Sequence, residues 1–214
     1  MRTSRLEAFS DGVLAIIITI MVLELREPDG LRPNLAELSH SFPSLLSYLL
    51  SFIYVGIYWA NHHHMFQVTE HVTGGVLWAN LGLLFCLSLF PFTTQWMDSS
   101  TFAQTPVIVY GVNLLAAAIA YYILQTVIIR SQGKDSALRK AIGRDWKGKV
   151  SPVGYIAGII AALAGGGTIL NSPGIAVAVA CYVAMAAIWV IPDRRIETAV
   201  IPAATTPADP EQHS

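Results

Sequence analysis

The run from Arg5 to Leu25, RLEAFSDGVLAIIITIMVLEL, sets the terms for the whole chain. Between Gly12 and Leu23 it carries no charge, yet at ~1.5 Å per residue that stretch covers only ~18 Å of a hydrocarbon layer ~30 Å thick. To cross a bilayer the helix must take in Asp11 and either Glu7 or Glu24. A carboxylate at membrane depth costs on the order of several kcal/mol unless it faces protein or water. Asp11 therefore needs a partner on another helix.

The rest of the chain supplies such helices. Of 214 residues, 54% are hydrophobic and 13% charged, and the mean hydropathy is +0.53. Uninterrupted apolar runs of ~20 residues point to an all-α polytopic membrane protein with six transmembrane helices and little left over for a water-soluble domain. The spans are expected near 5–25, 43–61, 73–96, 106–129, 152–170 and 174–191. A polar connection over 26–42 holds the breakers Pro28, Gly30 and Pro33; Pro91 predicts a kink in the third span. Residues 1–195 form the membrane unit, and the Ala-, Thr- and Pro-rich tail 196–214 reads as disordered. The charged residues inside the first span, with no small-residue cleavage site after it, speak for a retained helix rather than a signal peptide.

Orientation follows from the basic residues. In a six-span layout Arg2, Arg5, the connection 130–149, Arg194 and Arg195 share one side, and only Arg26 and Arg32 lie on the other. Lys and Arg concentrate in the cytoplasm, so both termini are expected inside a cytoplasmic membrane. A net charge of −1 speaks against a nucleic-acid partner. Cys86 and Cys181 fall inside apolar spans and read as packed free thiols.

Placed at ~100° per residue, Gly12, Ile16, Thr19, Ile20 and Leu23 fall on one side of the first helix, and Asp11 points nearly the opposite way. Arg5 and Asp11, six positions apart, are not neighbours on a continuous helix. The second span ends in Trp59, Asn61, His62, His63 and His64, and the third carries Asn80. All of these lie near the depth of Ser10 and Asp11. They are expected to form a buried polar network joining the first helix to those behind it. Three consecutive histidines diverge around a helix, whereas chelation uses positions three or four apart, so no metal site is expected from them. They remain candidates for pH sensing.

Arg5, Phe9, Ser10 and Asp11, spaced as RxxxFSD at the start of the first membrane helix, resemble the signature of the transmembrane protein 175 family, lysosomal potassium channels and their bacterial relatives. The resemblance continues through GVLAIIITIMVLEL and the six-span layout. It implies a homotetramer in which the first helix lines a potassium-selective pore, with Ile16, Ile20 and Leu23 as the constriction and Thr19 beside them. It also favours a network role for Arg5, which otherwise would snorkel to headgroups. Glu24 then stands either at the pore mouth or among the headgroups. No cofactor is implied beyond the permeant potassium ion.

Other classes fit less well. The TVGYG filter and an arginine ladder are missing, so neither the common potassium-channel architecture nor voltage sensing is indicated. Asp11 and His62–His64 could serve a proton-coupled transporter or proton-permeable channel, although no second FSDG segment marks an obvious internal repeat. As an enzyme the chain would lack a nucleophile or closed metal set to accompany them, and it has no phosphate-binding glycine loop, HExxH or GxSxG.

Overall fold

A computed structural model of the chain describes residues 3–25, 42–133, 138–139 and 146–190. The connection 26–41 with Arg26 and Arg32, the basic residues Lys134, Lys140 and Arg144, and everything from Ile191 onward, tail included, lie outside the described residues. Six apolar spans are built from α1 (Thr3–Leu23), α2 (Phe42–Gln67), α3 (Gly74–Ser88), α4 (Phe90–Ser99), α5 (Gln104–Gln132), α6 (Trp146–Gly165) and α7 (Pro173–Val190), with α3 and α4 together forming the third. Among the described residues there is no strand.

Several boundaries differ from expectation, each for a local reason. The second span runs past Asn61 to Gln67, where the Thr69 hydroxyl donates to the Met65 carbonyl and the Thr69 N–H to that of Phe66. In the third, the kink expected at Pro91 is a break: Pro91 has no N–H for the Leu87 carbonyl, and the helix stops at Ser88 and restarts at Phe90. The fifth span lies several residues earlier than expected, from Trp146 to Gly165, because Gly166 and Gly167 adopt φ of +64° and +79° and end it. With α5 reaching Gln132, the soluble connection is shorter than the expected 130–149. Lys147 becomes a buried residue of α6, its ammonium 5.8 Å from the centre of the Trp189 ring.

The helices pack in two groups. In one, α5, α6 and α7 approach closely through glycines: a methyl group at Gly158 or Gly111 would overlap Tyr182, and one at Gly154 would overlap Met185. In the other, α1 rests on α2, α3 and α4. The two groups meet where α3 packs along α5, and a buried tyrosine ties them: the Tyr54 hydroxyl of α2 donates to the Tyr182 carbonyl of α7 at 2.6 Å. Within the first group the Tyr182 hydroxyl donates to the Val107 carbonyl at 3.3 Å. In lipid each such hydroxyl must find its partner inside the protein. Cys86 and Cys181 are free and half-buried.

The tightest backbone approach is at the α6–α7 turn. A Cβ on Gly174 would lie 2.5 Å from the Ala161 carbonyl oxygen and 2.6 Å from Gly165 Cα, and backbone cannot step aside. Gly174→Ala is expected to destabilise the α6–α7 pair by ~1–3 kcal/mol, read as a lowered midpoint of thermal unfolding in detergent.

Candidate functional site

One helix presents two different faces. Leu6, Ser10, Leu14, Ile17 and Met21 of α1 are buried against the rest of the subunit. The expected stripe is turned outward, with Ile16 58%, Ile20 43% and Leu23 82% exposed, and Gly12 and Thr19 exposed beside them. Branched aliphatic side chains gain nothing from water, so this face is built to meet something outside the single chain. The Thr19 hydroxyl donates back to the Ile16 carbonyl at 2.9 Å, so its proton is engaged by the helix while its oxygen remains on the stripe.

The buried face is held by a directed chain of hydrogen bonds. Ser10 Oγ donates to the Leu6 carbonyl at 2.9 Å and accepts from Asn80 Nδ2 at 2.9 Å. The Asn80 amide oxygen is then left for His62 Nε2 at 2.8 Å. An amide oxygen only accepts, so His62 carries its proton on Nε2, and its Nδ1 is a buried acceptor with no partner among the described residues. Ser10, Asn80 and His62 are all 0–1% exposed. Three helices, α1, α2 and α3, thus share one polar knot in an apolar surround.

A second strip lies toward the surface. Trp59 Nε1 donates to Asp11 Oδ1 at 3.1 Å, the Trp59 ring stacks on His63 at 6.0 Å, and His63 Nδ1 stands 2.6 Å from Glu7 Oε1. Gln67 Nε2 is 2.8 Å from His63 Nε2. Carboxylates and rings alternate along the α1–α2 seam, and Asp11 finds its partner on another helix without entering the stripe.

Other residues singled out from the sequence stand apart. Asn61 donates within its own helix to the Ile57 carbonyl, and His64 has ring contact with His63, its Nδ1 having no hydrogen-bond partner among the described residues. Arg5 and Phe9 are exposed on the stripe side of α1, and Arg5 makes no hydrogen bond or ion pair with a described residue. Glu24 follows the end of α1 and lines a cavity of about 20 Å³ with Asp98, Ser47, Tyr48 and Thr94, where partial burial pushes its carboxyl pKa up. Glu7 was not singled out as a network residue in the sequence; its position four before Asp11, on the same edge, was the available signal. No group of three or more His, Cys, Asp or Glu side chains suited to a metal ion occurs among the described residues.

The two strips differ in what they hold. Asn80→Ala leaves the His62 N–H without an acceptor in a dry interior and is expected to cost ~2–3 kcal/mol in thermal stability. Asp11→Ala removes one half-exposed bond and should cost ~1 kcal/mol or less. It should leave ion selectivity unchanged, because Asp11 lies off the stripe; selectivity that collapses in intact Asp11→Ala protein, measured by reversal potentials, would place the carboxylate on the ion path.

Comparison with known proteins gives this arrangement a context. The family model described as "Endosomal/lysosomal potassium channel TMEM175" matches residues 5–91, the segment holding α1, the polar knot and the break at Pro91. A potassium channel of Chryseobacterium sp. (strain P1-3) is 52% identical over 197 residues, covering 92% of this chain and 97% of its own. The human endosomal/lysosomal proton channel TMEM175 is 35% identical over 117 residues, 48% of this chain and 22% of that much longer protein. The crystal structure of a lysosomal potassium-selective channel TMEM175 homolog from Chamaesiphon minutus superposes with a TM-score of 0.72 at 26% identity, over 88% of this chain and 96% of that one. With a relative this similar over nearly its full length, and a shared six-span all-helical fold, this multi-pass membrane protein belongs to the transmembrane protein 175 family.

Proposed function

We propose that the chain forms a potassium-selective channel of the cytoplasmic membrane, in which four copies surround a pore lined by α1. The observation that carries this reading is the outward stripe of Ile16, Ile20 and Leu23 on a helix whose opposite face is anchored by Ser10, Asn80 and His62. An apolar collar closes by dewetting and, when hydrated, favours the ion that sheds water at lower cost, which is potassium over sodium. The relatives named as potassium channels support the same assignment.

Two helix-interior glycines support assembly. A Cβ at Gly56 or Gly82 would meet nothing within 4 Å in the subunit, although glycine costs a helix up to ~1 kcal/mol relative to alanine. Such positions suit close approach by another chain's helix. In this assembly Thr19 offers its oxygen beside the collar, and the basic ends of the chain lie in the cytoplasm with both termini. Glu24 stands near the outer mouth, set back in its own cavity rather than on the stripe.

The test is a planar-bilayer recording of purified protein under opposed potassium and sodium gradients, wild type against Ile16→Asn. Potassium-selective unitary currents are expected, with conductance or selectivity in the variant changed roughly threefold or more, about 0.6 kcal/mol of barrier at the least. Slow gradient-coupled uptake into liposomes with no unitary current would overturn the channel.

A further inference from the structure

Toward the end of the bundle where α6 begins and α7 ends, the two helix groups part. Between α2 on one side and α5, α6 and the last turn of α7 on the other lies a cavity of about 40 Å³. Tyr54 and Tyr58 of α2, Gln125 of α5, Ser151 and Tyr155 of α6 and Trp189 of α7 form its wall. None of them takes part in the outward stripe of α1 or in the knot that anchors it.

Part of this wall serves the fold. The Tyr54 hydroxyl is engaged by the Tyr182 carbonyl, Trp189 Nε1 donates to Ser151 Oγ at 2.6 Å, and Ser151 donates in turn to the Lys147 carbonyl at 2.8 Å. Tyr58 and Gln125 do not. They are only 8% and 7% exposed, and neither the phenol of one nor the amide of the other hydrogen-bonds a described residue. Their polar atoms are not sealed in packing, as the Asn113 amide oxygen is, but open on the cavity. Leaving a buried polar group unpaired costs ~1–3 kcal/mol. Two such groups, on helices of different groups and facing one space, mark a place built to be filled.

The lining decides what can fill it. No acidic or basic side chain is among the lining residues, and most of the wall is aromatic ring and aliphatic carbon. A charged group would enter without a counter-ion, at a cost of several kcal/mol on the order of any unpaired buried charge. The Lys147 ammonium, 5.8 Å from the centre of the Trp189 ring, further opposes a cation. A neutral hydroxyl meets both unpaired groups at once, donating to the Gln125 amide oxygen and accepting from the Tyr58 phenol. At ~10–15 Å³ for one water, the space holds a hydroxyl and its first carbons, so a longer molecule must extend outside. Tyr122, 62% exposed, stands at the lip, and the exposed Ile119 and Ile123 flank it on α5. That ridge is apolar and suits an aliphatic chain.

We propose that this cavity binds an uncharged, hydroxyl-headed aliphatic lipid, whose hydroxyl bridges Tyr58 and Gln125 and whose chain leaves past Tyr122 into the bilayer. The occupant ties α2, the helix that carries His62, to the α5–α7 group. Binding at this site does not depend on ion conduction, so it is measured without it.

Full-length protein in lipid nanodiscs is irradiated with a diazirine-bearing decanol, and the modified residues are located by mass spectrometry. Labelling of α2 and α5 around Tyr58 and Tyr122 is expected. Plain decanol should compete it away, whereas decyltrimethylammonium and decanoate, at the same concentration in the bilayer, should not. Gln125→Leu keeps the volume and removes the amide. Because nothing in the fold bonds to that amide, the variant should keep the wild-type unfolding midpoint while labelling affinity falls roughly fivefold, about 1 kcal/mol. Tyr58→Phe removes the other partner and should lower labelling in the same way; it carries the test if Gln125→Leu does not fold. Labelling that is absent from the cavity, as when water alone fills it, overturns the proposal. So does labelling that survives both substitutions, or that either charged amphiphile competes as well as decanol does.

Discussion

A bilayer offers polar groups no water, and the Ser10–Asn80–His62 knot is where this chain meets that constraint most directly. Each of the three side chains comes from a different helix, and each satisfies the next in a fixed direction ending on the Leu6 carbonyl. The direction leaves no choice of rotation for α1. Once Ser10 faces inward, geometry at about 100° per residue turns Ile16, Ile20 and Leu23 outward. An apolar stripe can slide over lipid with little preference for one rotation. A hydrogen-bonded serine cannot, and so the polar knot determines which apolar residues of α1 face away from the subunit.

The same solvent argument explains why the subunit needs its glycines and tyrosines together. Tyr182 reaches across a gap that Gly158 and Gly111 leave open, so that its hydroxyl meets the Val107 carbonyl and its own carbonyl receives Tyr54. Close approach and polar satisfaction are thus a single feature of the α5–α7 group. Small residues admit a ring, and the ring brings the one polar atom that ties distant spans.

Much of this was legible in the sequence, and unevenly. The six spans and the two faces of α1 follow from apolar runs and helical periodicity, which local sequence encodes directly. The network around Ser10 and Asp11 could be anticipated because charged and amide groups are rare enough at membrane depth to stand out. The pairing was harder: nothing in the order Trp59, Asn61, His62 says that Trp59 meets Asp11 while Asn61 bonds its own backbone. The end of the fifth span was misplaced because the backbone conformation of Gly166 and Gly167 outweighed the hydropathy. The buried hydroxyls of Ser51 and Tyr54 in α2 went unread, because serines and tyrosines are common in membrane helices and their partners, Thr94, Tyr110 and the Tyr182 carbonyl, all come from other spans.

The interruption at Leu89 divides the labour of the third span. The half before it, α3, holds Asn80 and with it the rotation of α1; the half after it, α4, holds Thr94 and Asp98 at the far end of the bundle. An unbroken helix would transmit any tilt from one end to the other as a rigid lever. Two rods joined at a proline-marked joint do not, since the missing hydrogen bond at Pro91 removes the backbone's resistance to bending there. The end of the third span that carries Asp98 is therefore not rigidly coupled to the end that fastens α1, much as a door moves on its hinge without disturbing the frame.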